Sequence, residues 1–192
     1  MEKLIVVDQT GLYRQVKLQN NLAAGDIVAV ELVLMFIPAK KRLILLNRST
    51  NASDMHNYWA LESGKVRYED LTEEDKIGHN LSDQTYINAA VRELKEELNF
   101  SVNSSRLRKI DQFHMPYKKL FFSLLSLPLD IQEVNLLLPD QYEIDRVREF
   151  SLDEFEQNVH LGDAICYRKD QIISFLRQQF REDELVGENE FE

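Results

Sequence analysis

The run from Ala89 to Phe100 constrains this chain most, because it predicts one helix that carries a concentration of acidic side chains. At about 100° per residue, apolar residues fall on one face of the helix and glutamates on another. The apolar positions are Ile87, Val91, Leu94 and Leu98, and the acidic positions are Glu93, Glu96 and Glu97. Like charges at such spacings cost roughly 0.2 to 0.5 kcal/mol per pair unless a cation offsets them. We therefore expect a hard divalent cation such as Mg²⁺ at these carboxylates.

The same run resembles the signature helix of the Nudix hydrolase family. The family's pattern is Arg-Glu-apolar-x-Glu-Glu-x-Gly-apolar, and residues 92–100 match it at every glutamate. The resemblance implies an α+β fold, the Nudix-type α/β/α sandwich with a mixed central sheet. It also implies that Glu93, Glu96 and Glu97 hold Mg²⁺ or Mn²⁺ against a diphosphate. Asn99 replaces the family's Gly, and Asn is the usual second choice for a left-handed residue at a helix end.

The upstream part of the signature, a Gly followed by an acidic residue, fits the chain in two ways. Literal spacing selects Gly78 and puts the neutral Gln84 where the family has Glu. Residues 59–66 are more similar to the family's Trp-x-apolar-Pro-Gly-Gly-x-Val wording, and this alignment selects Gly64 and Asp70. We favour Gly64, whose backbone carbonyl would then be a further metal ligand by resemblance. The sequence leaves both alignments open.

The favoured alignment leaves an insertion at about residues 70–83, before the helix. It carries Glu73, Glu74, Asp75 and His79. Long loops in compact domains are usually functional or disordered, and the sequence does not decide between these outcomes.

Length and charge bound the class of protein. A chain of 192 residues, 44% hydrophobic and 29% charged, is typical of a globular protein, so we expect a single Nudix-like domain over residues 1–192. The net charge of −10 disfavours nucleic acid polymers as partners, because phosphate binding needs clustered Lys and Arg. A free nucleotide stays compatible, since a metal ion supplies positive charge locally.

Cysteine content and hydropathy indicate the compartment. Cys166 is the single cysteine and cannot form an intramolecular disulfide, and no charged and apolar leader opens the chain. The most apolar run, residues 28–38, contains Glu31 and is too short to span a bilayer. We expect an intracellular, cytoplasmic protein that does not enter a membrane.

The first residues predict a β-hairpin, within residues 1–20. Two apolar runs, residues 3–8 and 12–18, flank a turn that ends at Gly11. This opening resembles the N-terminal hairpin of the Nudix subgroup related to isopentenyl-diphosphate isomerase.

A second hairpin is predicted from two buried strands, residues 28–37 and 42–48. Arg48 ends the second strand, and its planar guanidinium suits bidentate contact with a substrate phosphate, although a plain surface arginine fits equally well. Trp59 follows a polar loop and is a candidate for a pocket wall, with core packing as the better interpretation.

Two more strands are predicted over residues 102–113 and 119–127, linked by His114-Met115-Pro116-Tyr117. His114 and Tyr117 are candidates for substrate contact at the mouth of the site. The common alternative for both is a solvated loop.

Residues 142–155 resemble a late segment of the family, in which a Glu precedes a strand and a Ser-Leu-Asp-Glu helix start. Ser151 and Glu154 form a capping box there. By this resemblance Glu143 is a candidate metal ligand or general base, with an ordinary surface acid as the alternative.

The C-terminal region predicts an amphipathic helix over residues 170–181. Its apolar positions are Ile172, Ile173, Leu176 and Phe180. We expect the helix to pack on the domain or on a second subunit, which leaves a homodimer open. The acidic tail, residues 182–192, is expected to fray.

Taken together, the resemblance implies a Mg-dependent Nudix pyrophosphohydrolase, in which water attacks a phosphorus atom of a nucleoside diphosphate derivative. Glu97 or Glu143 would accept the proton, and the spacing does not choose between them. Arg92 lies on a different side of the helix, so its expected role is to pair with a nearby acid and orient the cluster.

Two other functions stay open. A catalytically weak Nudix-like domain could sense a nucleotide or bind a protein, which Glu62-Ser63 in place of Pro-Gly would permit. Isomerisation of isopentenyl diphosphate is less favoured, because the related family uses a Cys just before the glycine and this chain has Ser63 there.

Overall fold

The computed structural model describes residues 1–50 and 57–188, with side chains described as far as residue 181. The chain divides into two compact units. Unit 1 comprises Met1–Val33, Glu62–Glu96 and Ser101–Leu127, and unit 2 comprises Leu34–Leu61, Glu97–Phe100 and Pro128–Glu192. Part of the polar loop after Arg48, residues 51–56, lies outside the described residues, and the predicted acidic tail lies outside the described side chains.

Among the described residues, six strands precede the first α-helix, and the remaining strands and helices are interspersed. The strands are β1 (Lys3–Val7), β2 (Tyr13–Leu18), β3 (Ile27–Ile37), β4 (Arg42–Arg48), β5 (Trp59–Ala60), β6 (Glu62–Lys65), β7 (Arg108–Met115), β8 (Leu120–Pro128) and β9 (Ile144–Ser151). The helices are α1 (Glu73–Gly78), α2 (Asp83–Leu98), α3 (Ile131–Val134), α4 (Leu152–Gln157) and α5 (Asp163–Glu188). No helix within the described residues is both long and apolar enough to cross a bilayer.

Strand β3 is the longest apolar strand, and it takes partners on both sides. In unit 1 it pairs antiparallel with β1 and with β6, while β1 pairs with β2 in the predicted N-terminal hairpin. Strand β8 also pairs with β3. The Val28 N–H donates to the carbonyl of Lys119, just before β8, and the Leu129 N–H, just after β8, donates to the carbonyl of Phe36. Residue numbers rise together from the first bond to the second, so β8 runs parallel to β3. The sheet is therefore mixed, as predicted.

The core of unit 1 lies where β1, β3 and the residues after β6 meet helix α2. It is built from side chains that alternate along the strands and recur each turn along the helix. Its members are Ile5, Val7, Ala29, Val66, Leu71, Tyr86, Ala89 and Phe121.

In unit 2, strand β4 pairs antiparallel with the end of β3, with β5 and with β9. The predicted capping box is confirmed at the start of α4, where the Ser151 side chain accepts from the Glu154 N–H. The predicted C-terminal helix is also confirmed, with its four apolar positions buried. It begins earlier than predicted, at Asp163, and has a kink at Arg168.

Strand β7 begins later than the pattern predicts. Residues 104–106 form a 3₁₀ turn, stabilised where the Asn103 side chain accepts from the Ser105 N–H, and β7 starts only at Arg108. The strand then continues through His114 to Met115, so His114 lies in a strand rather than in the predicted link.

The insertion at residues 70–83 is folded around a buried carboxylate. It contains helix α1, whose first turn is capped by Thr72. Asp75 is 3% exposed and accepts hydrogen bonds from the Ser82 N–H, the Ser82 hydroxyl and the Thr85 hydroxyl. Burial raises the pKa of Asp75, but the hydrogen bonds from Ser82 and Thr85 outweigh it and hold the pKa below the ordinary value. The carboxylate therefore joins α1 to the start of α2.

We expect Asp75→Asn to lower the free energy of unfolding by about 1 to 3 kcal/mol, because these bonds all go to Oδ2 and a neutral amide oxygen accepts them less strongly than a carboxylate. Since the pKa of Asp75 is lower in the folded state, its stabilisation is present above its ordinary pKa of 3.8 and is lost as the pH falls through the folded value. Urea unfolding of both proteins at pH 7 and near pH 3 measures the difference, which should shrink at low pH. Glu74→Gln, at an exposed position of α1, is the control, and an equal loss in both variants would contradict a special role for Asp75.

Candidate functional site

Helix α2 buries two of its three signature glutamates. Glu93 is 6% exposed and Glu97 is 8% exposed, whereas the Glu96 side chain is 47% exposed. Burial extends beyond the predicted apolar face, because Glu93 and Glu97 follow Ala89 at intervals of one turn and share its buried row. Ile87 and Val91, two of the four predicted apolar positions, are only partly buried.

Gly64 lets strand β6 approach this buried row. A Cβ atom at Gly64 would overlap the Glu93 side chain, whereas a Cβ atom at Gly78 would meet nothing within 4 Å. Only a residue without a side chain therefore fits opposite Glu93. The packing supports the alignment that places Gly64, and not Gly78, at the start of the signature.

Arg92 connects the helix to the residue that this alignment puts in the acidic position. Its Nε and Nη2 atoms donate to the two oxygens of Asp70, each at 2.9 Å, and Nη2 also donates to the Lys65 carbonyl at 3.0 Å. Its Nη1 atom donates to Glu93 and, at 3.3 Å, to Glu96. Arg92 thus pairs with a nearby acid and touches two signature glutamates, as expected for an orienting residue.

Arg67 is a second cation in the same unit, and the sequence analysis missed it. Its Nη2 atom lies 3.1 Å from Glu96 and 3.5 Å from Glu93, and it also pairs with Glu2 at 2.8 Å. The acidic helix signals that a counter-charge is needed, but it does not indicate which of the 23 Lys and Arg residues supplies it.

The local electrostatics follow from burial and from these arginines. Burial raises the pKa of Glu93, and Arg92 and Arg67 oppose that rise without cancelling it. Burial would lower the pKa of Arg92, but its hydrogen bonds to Asp70 and the charge of Glu93 hold the pKa well above the ordinary value. Arg92 is thus a fixed positive charge beside Glu93.

Glu97 lies in unit 2, where Arg48 joins it to Glu143. The Arg48 Nη1 atom is 3.4 Å from Glu97, and its Nη2 atom is 3.3 Å from Glu143. Arg48, predicted to contact substrate phosphate, therefore bridges the two acids that were predicted as alternative general bases. The arrangement places both acids at one guanidinium and does not choose between them.

Backbone hydrogen bonds hold this bridge in place. The Ser49 N–H donates to the Glu143 carbonyl at 2.9 Å, and the Asp140 N–H donates to the Glu97 carbonyl at 2.7 Å. Helix α2 ends at Leu98, and Asn99 takes the left-handed conformation with φ 49°, as predicted for the residue that replaces the family's Gly.

Two further acids are buried near Gly64 and were not predicted as site residues. Glu31 and Glu62 are both 0% exposed. Glu31 is paired with Gly64 in the register of β3 and β6, and Glu62 is two residues from Gly64 on β6. Since side chains alternate along a strand, both acids lie on the sheet face that Gly64 presents to α2. The signal in the sequence is Glu31 itself, an acid within an apolar run.

The remaining predicted site residues lie on three different strands or turns. Trp59 is half-buried in β5, with its ring 5.0 Å from that of Phe150, which favours the core-packing interpretation. His114 is half-buried in β7, where it is paired with Phe121. Tyr117 is 62% exposed in the turn after β7. Substrate contact by Trp59, His114 and Tyr117 stays a prediction.

Within the described residues, no group of three or more His, Cys, Asp or Glu side chains is arranged to hold a metal ion. The three glutamates instead face arginines: Glu93 and Glu96 face Arg67 and Arg92, and Glu97 faces Arg48. The arrangement is a helix of carboxylates whose charge is offset by guanidinium groups.

Comparisons with known proteins indicate the family. A model of the NUDIX domain matches residues 28–169. No curated protein matches the chain significantly.

Solved structures share the fold at low sequence identity. The protein DR0079 of Deinococcus radiodurans is 17% identical, with 93% of this chain and 99% of that chain covered and a TM-score of 0.62. A MutT protein of Methanosarcina mazei Go1 is 17% identical, with coverages of 84% and 99% and a TM-score of 0.51. A MutT NUDIX hydrolase of Burkholderia pseudomallei is 17% identical, with coverages of 74% and 95% and a TM-score of 0.51.

Such similarity shows the fold, which is the predicted Nudix α/β/α sandwich. The family model covers most of the chain, including Gly64, Arg92 and all three glutamates of α2. The chain therefore belongs to the Nudix family.

Proposed function

We propose that this protein is a metal-dependent pyrophosphohydrolase, which hydrolyses a diphosphate linkage in a nucleoside diphosphate derivative by attack of water at phosphorus. Membership of the Nudix family indicates a hydrolase. The observation that carries the proposal is the burial of Glu93 and Glu97 on one helix, beside the more exposed Glu96.

Burial of two carboxylates is costly without a function. Removing a charged group from water costs several kcal/mol, and even for a buried ion pair, apolar residues of similar size often give equal stability. Ala89 occupies the same buried row and shows that the row accepts apolar side chains. A role in cation binding or catalysis therefore explains the buried acids better than a contribution to folding stability does.

The donor set fits a hard divalent cation. All three side chains offer oxygen ligands, and Mg²⁺ usually takes one or two carboxylates and keeps water and substrate phosphate as its other ligands. A preformed cage of three acids is therefore not required. Glu93, Glu96 and Glu97 would hold Mg²⁺ or Mn²⁺, and the Gly64 carbonyl would add a ligand.

The bound cation would supply a Lewis acid that neutralises charge on the phosphate oxygens and lowers the pKa of water. The chain's own residues have separate roles. Glu97 or Glu143 accepts the proton of the attacking water, and Arg48, which touches both acids, binds a phosphate oxygen of the substrate. Arg92 orients Glu93 and Glu96 from its anchor on Asp70.

The proposed substrate is a small molecule rather than a polymer. A net charge of −10 disfavours a nucleic acid surface, whereas a metal ion attracts a diphosphate locally. A panel of dinucleotides, nucleotide sugars and nucleoside triphosphates, incubated with Mg²⁺ or Mn²⁺ and analysed by chromatography, tests the proposal. Metal binding without turnover on any member would instead favour a nucleotide-sensing domain.

We expect Glu97→Gln to lower kcat by a factor of about 100 or more, because a neutral amide neither accepts the proton nor binds a cation well. The measurement is steady-state kinetics on the substrate found in the panel, with circular dichroism to confirm folding. Glu69→Gln, at an exposed position outside α2, should keep the parent's activity. Equal turnover by Glu97→Gln and the parent would remove Glu97 from the mechanism.

Millimolar Mg²⁺ should raise the melting temperature, because a ligand that binds only the folded state stabilises it by mass action. At ten times its Kd the cation would add about 1.4 kcal/mol. Differential scanning fluorimetry with MgCl₂, and with NaCl at matched ionic strength, measures the effect. An identical rise in both salts would indicate screening rather than binding.

We expect Gly64→Ala to lower kcat on the order of 100-fold, since displacement of a catalytic group by about 1 Å is enough for such a loss. The new methyl group overlaps the Glu93 side chain, which must move. Gly78→Ala is the matched control, because its methyl group meets nothing within 4 Å.

The two alanine variants also distinguish the two alignments. Gly78→Ala should keep full activity and match or exceed the parent in stability, since Ala exceeds Gly by about 0.5 to 1 kcal/mol in a helix. Loss of activity in Gly78→Ala, with Gly64→Ala unaffected, would support the literal alignment instead.

A further inference from the structure

We propose that Arg67 competes with the divalent cation for Glu93 and Glu96, and that Glu2 moderates this competition by holding part of the Arg67 charge. The inference rests on the proposed function, because it concerns the same metal-binding carboxylates. It assigns roles to two residues outside the signature, one of them at the second position of the chain.

The contacts of Arg67 are shared among three carboxylates. Its Nη2 atom lies 2.8 Å from Glu2, 3.1 Å from Glu96 and 3.5 Å from Glu93, and its Nη1 atom donates to Glu96 at 3.3 Å. The side chain is 18% exposed, so water screens these contacts only in part. Arg67 therefore supplies positive charge at the oxygens that a cation would use.

Arg92 touches the same two glutamates but is fixed elsewhere. It forms a two-point bond with Asp70, which is 4% exposed, and it donates to a backbone carbonyl. Arg67 makes no such two-point bond with Asp70: its backbone N–H, not its guanidinium, donates to that carboxylate. Arg67 is accordingly the guanidinium that can yield its place to a cation.

Glu2 is the acid that receives Arg67 when it yields. Of the three carboxylates it is the nearest to the Arg67 Nη2 atom, and Glu2 directly precedes strand β1. Its backbone is held by the residue after β2, because the Gln19 N–H donates to the Glu2 carbonyl at 3.0 Å. Loss of the Glu2 charge would leave Arg67 with Glu93 and Glu96 alone, which strengthens the competition.

The test is the affinity for Mn²⁺ alone, measured by isothermal titration calorimetry and by the electron paramagnetic resonance signal of free Mn²⁺. Arg67→Gln should bind Mn²⁺ about three to ten times more tightly, since one partly screened positive charge is removed within several ångströms of the cation. Glu2→Gln should weaken Mn²⁺ binding by a factor of about two or more, because Arg67 then pairs with Glu93 and Glu96 alone. Neither readout depends on turnover.

The double variant separates the proposed route from a general field effect. If Glu2 acts through Arg67, Glu2→Gln should have no further effect on Mn²⁺ affinity in the Arg67→Gln background. If Glu2 acts directly on the cation, its effect should persist there, and this outcome would overturn the role assigned to Glu2.

Arg177→Gln is the control for loss of one arginine. Arg177 pairs with Glu156 at 2.6 Å in unit 2 and should leave the affinity unchanged. Arg67→Lys keeps the charge and should bind Mn²⁺ more weakly than Arg67→Gln.

The failures of the two proposals are distinguishable. If the parent binds Mn²⁺ and Arg67→Gln binds it equally or less tightly, the competition is wrong and the metal site stands. If neither protein binds Mn²⁺, the metal-dependent function fails and the competition fails with it. Should Arg67→Gln not fold, the change in affinity between the parent and Glu2→Gln decides, and no change would overturn the proposal.

Discussion

The pairing of buried glutamates with arginines is the interaction on which the rest of this structure depends. Glu93 and Glu97 lie in the buried row of helix α2, where an unpaired carboxylate would cost several kcal/mol. Arg92 lies against Glu93, and Arg48 lies near Glu97. Each arginine is in turn held by a second acid, Asp70 or Glu143. The helix is therefore placed by charge as well as by apolar packing.

One helix serves both the core and the candidate site. Tyr86 and Ala89 pack in the core of unit 1, and the next turn of the same row carries Glu93. Gly64 allows the strand and the helix to approach at that point, because any side chain there would displace the glutamate. Packing in the core thus fixes the position of Glu93. A substitution in the core should therefore shift the glutamate, and a substitution of the glutamate should alter the core packing.

The insertion does not disturb this arrangement, because it is tied down at both ends. Asp75 binds Ser82 and Thr85 at the start of α2, and Asp70 binds Arg92 farther along the same helix. The extra residues are accommodated between the two attachments as helix α1. Asp70 therefore reaches Arg92 although the insertion separates the two residues along the chain.

The sequence by itself determined the elements with strong local patterns. These are helix α2 with its glutamates, the apolar strands β3 and β4, the capping box at Ser151 and the left-handed Asn99, since each depends on neighbouring residues. Only the tertiary structure decided that Glu93 and Glu97 are buried, that Gly64 rather than Gly78 faces the helix, and that Arg67 is a counter-charge. Burial and ion pairing join residues that are distant in the chain, and no local pattern of charge or hydropathy specifies such partners.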